Sequence, residues 1–162
     1  MIFILISFIL DGVLSLLMNQ DSIYIPLLSI MALIVVYPYI KDKQRIVIMG
    51  GIVGLLYDVV YTQTLFLNTI LFCFLALVVL LFYKYIPINI VNSYILAILL
   101  ILLFRILSYL ALIFYYELSF NWKILFKSIY SSLITNLLYL TIMPFILGKI
   151  EGKRRKKRLL KI

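Results

Sequence analysis

The sequence predicts an all-α integral membrane protein with about six transmembrane helices. Three observations predict it. Of the 162 residues, 66% are hydrophobic, and the mean hydropathy is +1.20. Soluble domains are roughly 45–50% apolar, and a small soluble fold has too much surface to hide the excess. Apolar runs of about 20 residues recur from end to end, each long enough to cross a ~30 Å hydrocarbon core. Charged residues make up 13% of the chain and collect mainly in the breaks between runs. A single membrane domain is expected over residues 1–150, followed by a basic cytoplasmic tail over 151–162.

The first segment runs from about Ile2 to Met18. It follows Met1 with no basic region and no small-residue cleavage site, so it is expected to be a retained helix rather than a cleaved signal. Its one charge is Asp11, beside Gly12. A polar break, Asn19-Gln20-Asp21-Ser22, leads to the second segment, about Ile23 to Ile40. Pro26 is expected in the first turn of that helix, where its missing N–H costs little. Pro38 is expected to kink or end it. The loop Lys41-Asp42-Lys43-Gln44-Arg45 follows.

The third segment, about Ile46 to Tyr61, carries Asp58. After a weak break at Thr62-Gln63-Thr64 the fourth runs from about Leu65 to Tyr85, and Pro87 and Asn89 mark a turn. The fifth, about Val91 to Tyr116, carries Arg105 near its middle. A break from Glu117 to Lys123 contains the single tryptophan, Trp122. The sixth runs from about Ile124 to Ile150, with Pro144 and Gly148 toward its end.

Basic residues give the orientation. With six crossings the Lys41–Arg45 loop, Lys84 and the tail after Lys149 all fall on one side, so both termini are expected in the cytoplasm. Eight of the fifteen Lys and Arg lie between Lys149 and Lys161. A cluster there suits anionic lipid headgroups better than nucleic acid.

Three charges fall within apolar segments. At 1.5 Å per residue, Asp11 lies ~14 Å, Asp58 ~18 Å and Arg105 ~21 Å along their helices. An isolated charge at such depth costs at least ~2.5–3.5 kcal/mol. Opposite signs at similar depth suggest an intramembrane ion pair of Arg105 with Asp11, Asp58 or both. The alternative is that each charge snorkels, or that Asp58 caps a helix end. Gly50 and Gly54 share a helix face, with Gly51 alongside. Small residues at that spacing let helices approach closely in lipid, either within the bundle or against a partner's helix. Asn68, like Asn136, is expected to form a helix cap or an interhelical hydrogen bond.

Catalytic equipment is sparse. There is no histidine, the commonest acid–base group, and there is no P-loop, HExxH or GxSxG. No catalytic residue, cofactor or metal site is expected. The lone Cys73 excludes an internal disulfide and is expected to be a small packing residue.

The stretch Gly-Leu-Leu-Tyr-Asp-Val-Val-Tyr-Thr-Gln-Thr-Leu-Phe-Leu-Asn, Gly54 to Asn68, resembles the signature of the MreD family of bacterial rod shape-determining proteins. That family has a glycine-rich third helix ending in G-L-x-x-D, a short break, and an asparagine leading an apolar helix. Many members place a glycine shortly before the asparagine, where this chain has Leu65-Phe66-Leu67. Size, span number, the early proline of the second span and the basic end are similar too. The resemblance implies a non-enzymatic scaffold of the cell-wall elongation complex. Its implied partners are MreC, the actin-like MreB, and the synthase pair RodA and penicillin-binding protein 2. It also implies a fold similar to the substrate-binding subunits of energy-coupling-factor transporters. A vitamin-binding subunit of such an importer is therefore the competing expectation.

Overall fold

A computed structural model describes residues 2–18, 26–62, 66–116 and 120–159, with side chains described up to Gly148 and excluding that of Tyr116. All regular structure among these residues is helical. Helix α1 spans Ile2–Met18, α2 Leu28–Val36, α3 Arg45–Tyr57, α4 Leu67–Tyr85, α5 Ile90–Tyr116 and α6 Trp122–Leu159. A 3₁₀ turn, Tyr37–Tyr39, extends α2, and a π-helical turn, Asp58–Thr62, extends α3. Four segments are long and apolar enough to cross a membrane: Arg45–Thr62, Leu67–Tyr85, Ile90–Tyr115 and Trp122–Gly148. The apolar helices at Ile2–Leu17 and Leu28–Tyr39 are shorter. The chain is a multi-pass all-α membrane protein.

Helix α2 is the centre of the bundle. Every residue from Leu28 to Val35 is buried. A helix that is apolar all round belongs inside a protein or a membrane, and α2 touches α1, α3, α4, α5 and α6. The outer helices turn large apolar residues such as Leu16, Ile48, Phe114 and Phe145 outward. In lipid these positions cost nothing, which is why so small a chain can stay this oily.

The start of α2 differs from the sequence expectation. The helix begins at Leu28, not near Ile23, and Pro26 lies before it rather than in its first turn. Residues 23–25 lie outside the described residues. Proline disfavours helical backbone in the residue before it, and the N–H groups at Leu27, Leu28 and Ser29 all have side-chain acceptors from elsewhere. Pro38 stands in the 3₁₀ turn where regular α-helix has stopped. Lys43 Nζ donates to the Tyr37 carbonyl at 2.8 Å and lies over its ring, closing that end.

The tail also differs. Helix α6 does not stop near Ile150 but continues to Leu159, through residues expected to form a separate tail. Helix α5 opens as the turn residues suggest, with Asn89 Oδ1 accepting from the Asn92 N–H at 2.7 Å, a standard asparagine cap.

Helices α3 and α4 form the tightest pair, and glycine is what allows it. A Cβ on Gly50 would sit 2.7 Å from Ala76 Cβ and 2.8 Å from the Phe72 carbonyl oxygen. One on Gly54 would sit 2.5 Å from the Asn68 carbonyl oxygen and 2.6 Å from Thr69 Cα. Beside them, Gly51 faces Cys73 Sγ. The Gly50 and Gly54 face thus lies against α4.

Candidate functional site

The polar residues of the interior converge on the beginnings of helices. Asp11, midway along α1, is 2% exposed. Its carboxylate accepts the Leu28 N–H at 2.7 Å, the Ser29 N–H at 2.9 Å and the Ser29 hydroxyl at 2.6 Å. The Tyr57 hydroxyl of α3 donates a fourth hydrogen bond. Asp11 therefore caps the buried start of α2 and ties in α3. The first N–H groups of a helix have no intrahelical acceptor, and that end carries partial positive charge. A carboxylate is the natural partner for both.

Asp58 repeats the arrangement one hairpin later. It accepts the Asn68 N–H at 2.9 Å, the Thr69 N–H at 2.8 Å and the Thr69 hydroxyl at 2.7 Å. Asn68 Nδ2 adds a bond at 3.1 Å and also reaches Thr62 Oγ1 at 2.9 Å. In both cases two successive N–H groups and the hydroxyl of the second residue meet one aspartate of the preceding helix. The third hairpin has a related latch: the Tyr109 hydroxyl of α5 accepts the Asn121 N–H, at the start of α6, at 2.8 Å.

Phe66, just before α4, adopts left-handed backbone with φ 57° and ψ 9°. It is the one described non-glycine residue with positive φ. This is the stretch in which many proteins with the resembled signature place a glycine.

A second polar strand runs along α6. Asn136 Oδ1 accepts the Leu27 N–H at 3.0 Å, and its Nδ2 donates to the Ser132 carbonyl at 2.6 Å. Arg105 Nε donates to Ser132 Oγ at 3.3 Å. The Ser7 and Tyr139 hydroxyls are hydrogen-bonded to each other. Ser7, Asp11, Ser132, Asn136 and Tyr139 are all buried. Together with the buried start of α2 they make a continuous polar seam through α1, α2, α5 and α6.

The structure brings Asp58 together with Asn68, and Gly54 against the same turn of α4. It does not bring Asp11 within ion-pair distance of Arg105. Among the described residues the one ion pair within 4 Å is the exposed Arg45–Asp42. The carboxylates expected to face a cation meet helix N-termini, and Arg105 reaches Ser132. No three of His, Cys, Asp and Glu come together as metal ligands among the described residues. Sequence reasoning did not single out Tyr57, Ser29, Thr69, Ser7 or Tyr139. Thr69 carried a usable signal, being a hydroxyl residue near the start of an apolar run, whereas Ser29 lies well inside the run expected from Ile23. Gly12 has a local role as well: a Cβ there would run into the Tyr61 ring, whose hydroxyl donates to the Phe8 carbonyl at 2.8 Å.

Fold and seam define a polytopic membrane protein whose interior polar groups serve helix junctions. Comparison with protein-family models, characterised proteins and solved structures gave no match.

Proposed function

We propose that this chain is a non-enzymatic scaffold subunit of the bacterial cell-wall elongation complex, supporting lateral peptidoglycan synthesis and cell shape. One observation carries the reading. The Gly54–Asn68 stretch, through which the chain resembles the MreD signature, is built as a junction. Gly54 admits the α4 backbone, and Asp58 caps α4. These residues are spent on holding helices in place, and that use suits assembly rather than catalysis.

In this reading the chain crosses the cytoplasmic membrane six times with both termini in the cytoplasm. The polarity of the bundle supports it. Tyr37 stacks on Tyr83, and the Tyr83 and Ser93 hydroxyls are bonded, so the ends of α2 and α4 and the start of α5 gather at one end. Helix α6 runs antiparallel to α5 through Tyr109–Asn121 and then Arg105–Ser132, so its C-terminal part returns to that same end. Lys41, Lys43, Arg45 and Lys84 stand there, which supports reading it as the cytoplasmic side. Partners of the proposed scaffold are MreC, MreB and the RodA–penicillin-binding protein 2 pair.

Depletion in the native host tests the reading. Rounding of rod cells and loss of lateral wall synthesis are expected, with a single-span partner and a wall synthase co-purifying with the chain. Normal morphology with lost uptake of one vitamin would overturn it in favour of an importer subunit.

A further inference from the structure

Helix α6 continues without interruption from Trp122 to Leu159. Lys123 and Lys127 mark its far end, and the next cation is Lys149. Residues 128–148 between them rise ~32 Å at 1.5 Å per residue, which matches a ~30 Å hydrocarbon core. Lys149 therefore emerges at the hydrocarbon edge on the end of the bundle that holds Lys41, Lys43, Arg45 and Lys84. The remaining helix, 149–159, is ~16 Å long. A headgroup layer is roughly 5–7 Å deep on each side. The extension thus passes through the headgroups and ends ~9–11 Å beyond them, roughly one Debye length at 0.1 M salt (~10 Å).

The charge pattern of this extension is one-sided. Residues 149–159 hold seven cations and one acid, Glu151. Positions 153–158 are basic without a break, so like charges stand three and four apart, as at Lys153/Lys156 and Arg154/Arg158. Such pairs oppose helix formation in water. A neighbouring source of negative charge would offset that repulsion. The headgroup layer that the extension traverses is the nearest one.

We propose that the 149–159 extension of α6 is a binding site for anionic, phosphate-bearing lipid headgroups, and that their charge holds it helical as a post at fixed height beside the basic loop. Anionic lipids then gather at one side of the bundle, next to the α6 exit. The proposal does not rest on the elongation-complex reading.

Native mass spectrometry of the full chain in neutral detergent tests it, with phosphatidylglycerol and phosphatidylcholine supplied in equal amounts. The wild type is expected to retain phosphatidylglycerol about tenfold over phosphatidylcholine at low salt, with the preference falling as salt rises. Replacing Lys153, Arg154, Arg155, Lys156, Lys157 and Arg158 with glutamine should abolish the preference while leaving thermal stability unchanged. The double variant Lys41→Gln/Lys84→Gln should keep most of it. Inorganic phosphate at matched ionic strength should not displace the lipid, because free phosphate is not held at headgroup depth. Equal preference in the wild type and the six-glutamine variant would overturn the proposal. So would full displacement by inorganic phosphate, or tight binding of polyglutamate to lipid-free protein, which would mark a docking site for an acidic polypeptide.

Discussion

Thr69 meets Asp58 twice, through its backbone N–H at 2.8 Å and its hydroxyl at 2.7 Å, across eleven residues of chain. Two contacts from one residue fix both the start of α4 and its rotation. Asp58→Ala leaves buried donors unmet and is expected to cost about 3 kcal/mol, read as a lowered unfolding temperature in detergent. Asp58→Asn should cost less, since its amide oxygen still accepts. Combined with Thr69→Val, the loss from Asp58→Ala should be non-additive, with a coupling of about 0.5–3 kcal/mol. Strict additivity would show that the two residues act independently.

The Tyr57 hydroxyl is the one donor to Asp11 that comes from α3. Tyr57→Phe removes it while keeping the ring contacts with Phe8, Tyr61 and Phe72. A loss of about 1–2 kcal/mol is expected. Asp11→Ala should cost more, because it also orphans the start of α2. Unfolding of both variants in one detergent gives the ranking, and an inverted order would refute it.

Gly54 and Gly148 should respond in opposite ways to one methyl group. At Gly54 the new carbon meets α4 backbone, which cannot swing aside as a side chain can. Gly54→Ala should therefore destabilise the bundle by about 1–3 kcal/mol. At Gly148 nothing lies within 4 Å. Gly148→Ala should be neutral or gain up to about 1 kcal/mol from helix propensity.

Phe66→Gly should stabilise the chain. Left-handed backbone costs a residue with a Cβ roughly 1–2 kcal/mol, and the Phe66 side chain is 58% exposed, so little packing is lost. A rise in unfolding temperature is expected, with Phe66→Val moving it the other way, since β-branched residues tolerate positive φ worst. If Phe66→Gly lowered stability, the side chain would be contributing more than its exposure suggests.

Much of the fold was legible because hydrophobic length and turn chemistry are local properties. The Asn89 turn and the Gly50/Gly54 face each follow from residue types at fixed spacing. The start of α2 was not legible. Hydropathy treats residues 23–28 as one apolar run, and nothing local says that the helix waits until Leu28. That boundary depends on Asp11 and Asn136, which lie on other helices. The role of the buried acids was obscured for a related reason. A charge count looks for an opposite charge, and Arg105 was the visible candidate. Backbone N–H groups belong to every residue except proline, so a pattern of side chains cannot show which of them will be left over at a helix start. Tyr57 and Tyr139 read as ordinary aromatic residues until the bundle placed their hydroxyls beside Asp11 and Ser7.

The latches also bear on the order in which the chain can be built into a membrane. Asp11 with Ser29, Asp58 with Thr69 and Tyr109 with Asn121 each join neighbouring helices, so each pair can shield its own polar groups as it leaves the ribosome. The Leu27 N–H has no such neighbour, because its acceptor on Asn136 lies 109 residues downstream. Until the last helix arrives, the first hairpin carries an unmet donor at a position that is buried in the finished bundle. A chain ending after α5 should be shorter-lived in cells than the full chain, and Asn136→Leu should reproduce that defect without shortening anything. Equal half-lives in a pulse-chase experiment would show that the first hairpin matures without its last partner.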